Sequence, residues 1–170
     1  MPLNLELKVK LNTHKGVKKL LKEIEADFVK TLNQKDIYYN IKDGLLKLRI
    51  ENGKQSIIKY LRNEKGRDRF SDFEVLHFST GDAEMFFKEL FKIETIVEKK
   101  RKLYLYDNTR IHLDEVEGLG IFLELETLVI NGKADAKKRF KKIIGLLALD
   151  KYSEIRKSYR DLMLENKKSK

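Results

Sequence analysis

Two alternating segments between residues 110 and 126 constrain this chain more than any other feature of its sequence. The stretch Arg110–Glu126 reads RIHLDEVEGLGIFLELE and predicts two strands around a turn that holds two glycines. Because side chains alternate between the faces of a strand, His112 and Asp114 share one face of the first strand, and Glu124 and Glu126 share one face of the second. The intervening residues are mainly apolar. Each strand therefore has one apolar face and one ionisable face.

The same alternation appears in two segments nearer the N-terminus. In Leu3–Leu11 the polar residues Asn4, Glu6 and Lys8 oppose leucines and a valine, and in Leu45–Glu51 a lysine, an arginine and a glutamate oppose leucines and an isoleucine. A single strand of this kind is typical of a sheet with one solvated face. Several strands that mix acids with bases on one face favour a shared polar interior. Closing such a sheet on itself gives a barrel with a charged lumen and an apolar outside that helices cover.

About eight segments read as strands, which is enough for a closed barrel. The strongest hairpin signal is Asn52-Gly53, and the charged segment 62–67 is predicted to be a mobile loop. The predicted strands are Leu3–Leu11, Asp27–Asn33, Gln34–Asn40, Leu45–Glu51, Gln55–Leu61, Phe70–Phe78, Thr95–Tyr106 and the two within Arg110–Glu126. We therefore predict an α+β fold, a closed eight-stranded antiparallel β-barrel (tunnel) with flanking helices.

Four segments show the apolar spacing of an amphipathic helix. The first follows Thr13 as N-cap, the second follows Thr80 or Asp82, the third begins after Gly132, and the fourth spans about 153–165. The predicted buried stripe of the second helix consists of Ala83, Phe86, Phe87, Leu90 and Phe91. These helices are the elements that we expect to cover the apolar side of the sheet.

Length and composition indicate one globular domain that is strongly charged. The chain has 170 residues, of which 41% are hydrophobic and 38% charged, so it can bury a sizeable core. We assign residues 1–165 to a single tunnel domain and expect the lysine-rich tail 166–170 to be disordered. The net charge of +10 predicts an anionic partner.

The sequence also excludes several classes of protein. It has no cysteine, which excludes disulfides and thiolate chemistry. No apolar run approaches the ~20 residues of a membrane span, and the first eleven residues alternate charge with hydrophobe, unlike a signal peptide. We therefore expect a cytoplasmic protein with no membrane partner. A generic nucleic-acid binder fits worst, because acids are interleaved with the bases on the same strand faces.

The charged faces predict a site for a polyphosphate and a divalent cation. If the strands face one lumen, the carboxylates of Glu6, Glu124 and Glu126 come together as oxygen ligands suited to Mg²⁺ or Mn²⁺. The basic residues that would line the same lumen are Lys8, Lys47, Arg49, Lys59, Arg101 and Arg110. Lysine and arginine bind the nonbridging oxygens of phosphate and offset the charge that develops in phosphoryl transfer. Unpaired charges cannot sit in a dry interior, so such a lumen is wet or filled by a ligand.

His112 shares the ionisable face of its strand. The other histidines of the chain, His14 and His77, are far from it in sequence. We therefore interpret His112 as a structural hydrogen-bonding residue rather than a metal ligand.

Six short motifs follow one another along the chain. They are NLELK at 4–8, QKDIYY at 34–39, LKLR at 46–49, KKR at 99–101, LDEVEGLGIFLELE at 113–126 and SYRDL at 158–162. With these motifs the chain resembles the CYTH superfamily, also called triphosphate tunnel metalloenzymes, and within it the class IV adenylyl cyclase branch. The resemblance spans nearly the whole chain, and LDEVEGLG with its E-x-E is the most specific part. The family opens with E-x-E-x-K, so Asn4 stands where the first glutamate is expected.

The resemblance implies an eight-stranded antiparallel tunnel that binds a triphosphate with one or two divalent cations, Mg²⁺ or Mn²⁺. The metal ligands carried over by position are Glu6, Glu124 and Glu126. The phosphate-binding residues carried over are Lys8, Lys47, Arg49, Lys59, Lys99, Arg101 and Arg110. The catalytic residues implied are Glu6, Lys8, Arg49 and Asp114. Asp114 would orient one of the bases or contribute to the metal site. The amide of Asn4 can coordinate a metal but brings no charge, which implies weaker binding of a second cation.

Three functions are compatible with this assignment. The leading hypothesis is a class IV adenylyl cyclase-like reaction, in which the 3′-hydroxyl of ATP attacks the α-phosphorus and pyrophosphate leaves; positioning and electrostatics suffice for that step. The alternative is a triphosphatase acting on inorganic triphosphate, thiamine triphosphate or a nucleoside triphosphate. A second alternative, which Asn4 keeps open, is a non-catalytic polyphosphate-binding module. No specific nucleic acid is expected as a partner, and the cyclase branch suggests a homodimer.

Overall fold

The protein, in a computed structural model that describes residues 3–63 and 70–169, consists of eight antiparallel strands and four helices. The strands are β1 (Leu3–Leu11), β2 (Asp27–Tyr39), β3 (Leu45–Glu51), β4 (Lys54–Asn63), β5 (Phe70–Phe78), β6 (Ile93–Tyr106), β7 (Thr109–Val116) and β8 (Gly120–Leu128). The helices are α1 (Lys15–Glu23), α2 (Ala83–Leu90), α3 (Lys133–Leu146) and α4 (Tyr159–Lys168). Within the described ranges, no helix has the length and apolar character needed to span a membrane.

The eight strands form one curled sheet in the order β1-β5-β4-β3-β2-β6-β7-β8, and β8 pairs in turn with β1. The two seams of β1 differ in length. With β8 it forms eight residue pairs, from Asn4–Leu128 to Leu11–Ile121, but with β5 the described residues form only three, from Leu3–Asp72 to Leu5–Phe70. The curled sheet is thus a half-barrel, in which the seam between β1 and β5 is short. The predicted eight-stranded antiparallel sheet with flanking helices is confirmed, but full closure of the predicted barrel is not.

Local turn chemistry explains how the strands follow one another. Asn52 and Gly53 both have positive φ, at 47° and 80°, as a tight hairpin turn requires, so the predicted hairpin is confirmed. By contrast, the predicted break between Asp27–Asn33 and Gln34–Asn40 is wrong. These residues form the single strand β2, because the alternation of faces continues through Asn33 and Gln34. β2 pairs with the long strand β6, with register shifts near its two ends, at Phe28/Lys30 and Tyr38/Tyr39. Of the predicted loop 62–67, residues 64–67 lie outside the described residues.

The C-terminal helix begins later and ends later than the sequence pattern predicts. α4 starts at Tyr159 because Ser158 caps it: the Ser158 hydroxyl accepts from the Asp161 amide, and the Asp161 carboxylate accepts from the Ser158 amide. The preceding residues cross β1 instead, where the Ile155 amide donates to the Lys8 carbonyl at 2.8 Å. Since α4 continues through Lys168, the expectation of a disordered tail from residue 166 is wrong for 166–168.

Most of the hydrophobic core lies between the outer face of the sheet and the helices. α1 and α3 cover β1, β7 and β8 through a cluster that includes Val9, Leu21 and Ile143. α2 covers the β2–β4 side less completely than predicted. Ala83 is buried, but Phe86 and Leu90 are each 60% exposed, because an eight-residue helix presents only one narrow side to the strands. With its outer face filled by apolar contacts, the sheet presents its ionisable residues inward.

Candidate active site

The inner face of the curled sheet lines a cavity with two adjoining halves. The narrow half encloses about 60 Å³ and the wide half about 480 Å³. The residues that line both halves, and so mark their junction, are Glu6, Arg49, Tyr60, Arg101 and Glu126. Charged residues and tyrosines form most of the lining of the narrow half, beside three leucines, Leu7, Leu45 and Leu125. The wide half has a larger apolar share, which includes Leu32, Ile58 and Val75.

The segment that leads into α4 covers the narrow half. The Lys8 ammonium donates to the Lys157 carbonyl at 2.9 Å and lies 4.1 Å from the centroid of the Tyr159 ring. The Tyr159 hydroxyl donates to the Asp114 carboxylate at 2.7 Å. Ser158 and Tyr159 therefore line the narrow half although they are distant from the strands in sequence.

Asp36 of β2 holds three cations in the narrow half. Its carboxylate is fully buried and accepts two bonds from Arg49, at 2.7 and 2.8 Å, one from Lys47 at 3.2 Å and one from Lys99 at 2.9 Å. Burial by itself would raise the pKa of Asp36, but the charges of Arg49, Lys47 and Lys99 outweigh it and hold that pKa well below its usual range. The carboxylate is therefore ionised, and it fixes three phosphate-binding candidates before any ligand arrives.

A second carboxylate, Asp114 of β7, positions Arg101. Both oxygens of Asp114 accept from the Arg101 guanidinium, at 2.7 and 2.6 Å, and the side chain is fully buried. Asp114 does not line either half of the cavity. Its contact with Arg101 agrees with the first of the two roles implied for Asp114, orientation of a base, and its catalytic role stays a prediction.

The remaining acids face the cavity from β1 and β8. Glu6 lies directly opposite Glu126 in the strand register, and Lys8 lies opposite Glu124. Glu124 is 3.1 Å from Lys8 and 2.5 Å from Arg101. Burial would raise the pKa of Glu124, but Lys8 and Arg101 hold it well below its usual range. The carboxylate of Glu124 is thus held ionised next to the cations that surround the narrow half.

A group suited to a metal ion lies on β7 and β8. One ligand atom each from His112, Glu124 and Glu126 fall within 4.8 Å of one another. The amide oxygen of Asn4 and the Nδ1 atom of His112 are buried and have no hydrogen-bond partner among the described residues. Burial, together with the charge of Arg101, lowers the pKa of His112 to about 3, so its ring is neutral. The carboxylates and the neutral imidazole of this group fit a divalent cation.

The structure brings most of the predicted site residues together. Those that line the cavity are Asn4, Glu6, Lys8, Lys47, Arg49, Lys99, Arg101, Arg110, Glu124 and Glu126. Lys59 does not belong to this group. On β4 the cavity is lined by Ser56, Ile58 and Tyr60, so the exposed Lys59 lies on the opposite face, and its predicted phosphate-binding role is withdrawn.

Several cavity residues escaped the sequence analysis. Asp36 could have been found, because it shares its strand face with Gln34 and Tyr38, both of which also line the cavity. For Tyr159 the SYRDL motif was the available signal, because its place in the narrow half depends on the packing of the C-terminal segment on β1. The interpretation of His112 as a hydrogen-bonded structural residue is wrong for its Nδ1 atom, which has no partner among the described residues.

Comparison with known proteins now identifies the family. The family model for the CYTH domain matches residues 3–159, which is nearly the whole chain. The chain belongs to the CYTH family. CYTH proteins act on triphosphate substrates and depend on a metal, in agreement with a cavity that combines a basic wall with a group of potential metal ligands.

Individual CYTH relatives are similar over almost their full length. A Methanocaldococcus jannaschii protein whose name marks it as a proposed adenylate cyclase is 32% identical over 94% of this chain and 98% of its own. A solved structure of a Pyrococcus horikoshii protein is 27% identical, with a TM-score of 0.80 over 94% of this chain and 98% of that one. An enzyme from Hippeastrum, described as a proposed adenylyl cyclase with a dominant triphosphatase activity, shares the fold at 12% identity, with a TM-score of 0.69 over 97% of this chain and 96% of its own.

Proposed function

We propose that this CYTH protein is a metal-dependent enzyme that converts a nucleoside triphosphate, ATP in the first instance, into a cyclic nucleotide and pyrophosphate. One observation carries the proposal: the narrow half, lined by lysines and arginines that are paired with acids, adjoins a wide half of about 480 Å³ with mixed polar and apolar walls. A triphosphate chain suits the narrow half. A base with its ribose suits the wide half, whose volume is typical of small-molecule sites.

The charges of the narrow half explain why such a substrate binds together with a cation. Lining the narrow half are the cations of Lys8, Lys47, Arg49, Lys99 and Arg101 and the carboxylates of Glu6, Asp36, Glu124 and Glu126. When the buried carboxylate of Asp114 is added to these, the acids equal the bases in number. A triphosphate adds several negative charges to this balanced interior, and a buried charge has to be compensated. Divalent cations at the carboxylates supply that compensation.

The reacting phosphorus is proposed to lie at the junction of the two halves. Arg49 and Arg101 reach the junction with their guanidinium groups already oriented by Asp36 and Asp114. There they bind the α-phosphate, while the lysines of the narrow half bind the β- and γ-phosphates. The 3′-oxygen then bonds to the α-phosphorus as the bond to the β-phosphate bridging oxygen breaks, and the hydroxyl proton passes to water. A divalent cation held by Glu124 and Glu126 would supply Lewis-acid stabilisation of the charge that develops there.

The relative from M. jannaschii favours the cyclase reaction through its name. Hydrolysis is the second candidate, and the wide half favours it, because that volume admits water beside the junction. If the triphosphate lies in the opposite direction, its terminal phosphorus is at the junction and water replaces the ribose hydroxyl as nucleophile. The direction of the triphosphate, not the identity of the side chains, separates the two reactions.

Product analysis tests the proposal. The purified protein is incubated with ATP and, separately, with inorganic triphosphate, each with Mg²⁺ and with Mn²⁺, and the products are separated by chromatography. We expect cyclic AMP and pyrophosphate from ATP and no cleavage of inorganic triphosphate. Orthophosphate without a cyclic product would replace the cyclase with a triphosphatase. Tight binding without turnover of either compound would indicate a binding module.

Replacement of Arg49 by alanine should lower kcat/KM about 10- to 150-fold, with a higher KM and a lower kcat. Arg49 lines both halves, and a hydrogen bond to a charged group contributes about 1.5–3 kcal/mol. Lys59→Ala is the matched control, because Lys59 is a base on a neighbouring strand that is exposed on the outer face. Steady-state kinetics of the two variants should therefore diverge; equal values would remove Arg49 from the site.

A further inference from the structure

The environment of His112 sets it apart from an ordinary buried histidine. Its side chain is 4% exposed, and its Nδ1 atom has no hydrogen-bond partner among the described residues. The nearest carboxylate oxygen, on Glu126, is 3.8 Å away, which is too long for a hydrogen bond. A buried polar atom without a partner loses its hydration without compensation, so native proteins rarely keep one unless it has a function.

His14 shows what a structural histidine looks like in the same protein. It is 5% exposed, and its Nε2 atom is 2.9 Å from the carbonyl oxygen of Phe122. The two histidines are therefore equally buried, but in His14 a ring nitrogen is used by the fold, whereas Nδ1 of His112 is left for a ligand. His112 also lines the wide half of the cavity.

The strand register brings carboxylates next to this nitrogen. His112 lies directly opposite Glu124 across the β7–β8 pair, and Glu126 is the next residue along on the same face. The three side chains offer ligand atoms that all lie within 4.8 Å of one another. Although Glu124 is bonded to Lys8 and Arg101, each carboxylate oxygen has two lone pairs and can accept a metal as well.

We propose that His112 is a ligand, through Nδ1, of a divalent cation held with Glu124 and Glu126, and that this nitrogen makes the site select Mn²⁺ over Mg²⁺. Mg²⁺ prefers six oxygen ligands in a strict octahedron, whereas first-row transition cations accept imidazole nitrogen readily. Oxygen ligands alone would leave the choice of cation open. This inference deepens the proposed function by naming its cation, but the site is preformed and can be tested without any substrate.

The test measures the cation directly in the protein without nucleotide. Mn²⁺ binding is followed by the electron paramagnetic resonance signal of free Mn²⁺, and pulsed measurements on the loaded protein detect a coordinated ¹⁴N nucleus. We expect wild-type protein to bind Mn²⁺ more tightly than Mg²⁺ in competition and to show the nitrogen signal. In His112→Ala the nitrogen signal disappears and Mn²⁺ affinity falls about tenfold or more, on the scale found for residues that support metal ligands.

His77→Ala is the matched control, because His77 lines the same wide half but is exposed and lies on β5, outside the group of ligands. It should keep both the nitrogen signal and the affinity. His112→Asn guards against a folding defect, since asparagine can supply an oxygen near the position of Nδ1. We expect this variant to bind a cation, to lack the nitrogen signal, and to discriminate less between Mn²⁺ and Mg²⁺.

Three results would overturn the inference. They are a nitrogen signal that survives in His112→Ala, equal losses of Mn²⁺ and Mg²⁺ affinity in that variant, and no Mn²⁺ binding by wild-type protein at millimolar concentration. Activity is not part of these measurements, so failure of the cyclase proposal leaves them interpretable. Conversely, cyclic AMP formation with an unaltered cation preference in His112→Ala would retain the proposed function and reject His112 as a ligand.

Discussion

Replacement of Glu126 by glutamine should abolish metal-dependent turnover, with kcat falling at least about 100-fold. Glu126 lines both halves of the cavity, lies opposite Glu6 and belongs to the group of potential metal ligands. A metal ion contributes several kcal/mol of charge stabilisation in reactions of this kind, and glutamine removes one negative charge from its site while keeping the shape of the side chain. The variant should fold, because the side chain of Glu126 is 21% exposed and faces a cavity.

The measurement pairs kinetics with cation binding. For Glu126→Gln we expect weaker cation binding, a lower kcat at saturating Mn²⁺ and Mg²⁺, and an unchanged circular dichroism spectrum. Glu115→Gln is the control, because Glu115 is an exposed glutamate on the neighbouring strand β7, and it should behave as wild type. Full activity of Glu126→Gln would show that Glu126 is not a metal ligand.

Replacement of Asp36 by asparagine should destabilise the ligand-free protein by about 3–5 kcal/mol, the cost of leaving a buried charge without its partner. The carboxylate is fully buried and is bonded to Lys47, Arg49 and Lys99. Without it these three cations repel one another in an interior from which they cannot all escape. Their role as phosphate-binding candidates adds a second expectation: inorganic triphosphate should restore stability more strongly in the variant than in wild type.

Urea unfolding with and without inorganic triphosphate measures both effects. Glu23→Gln serves as the control, because Glu23 pairs with Lys19 on the surface of α1, where the two side chains are 54% and 79% exposed. Its loss should change the free energy of unfolding by less than about 0.5 kcal/mol and leave the response to triphosphate unaltered. If Asp36→Asn were as stable as wild type, the three cations would have another means of compensation, and the proposed preorganisation of the phosphate site would be wrong.

Alternation along single strands made most residues of the cavity predictable from the sequence. Polar residues at every second position fixed the inward faces of β1, β3, β7 and β8, and these faces supply most of the cavity. The inward position predicted for Lys59 was wrong, because both faces of β4 carry polar residues and alternation does not distinguish them. The cavity face of β4 is set by its pairing with β3 and β5, and a pairing register is not visible in one strand alone.

The sequence by itself therefore determined the antiparallel strands, the inward acids and bases, and the CYTH family. Those properties are local, since each depends on residues a few positions apart. Only the tertiary structure decided which partner each buried carboxylate has, because Asp36 binds Lys99 and Asp114 binds Tyr159 across long separations in the chain. It also decided that His112 Nδ1 lacks a partner, since the satisfaction of a buried polar atom depends on every neighbour that packs around it.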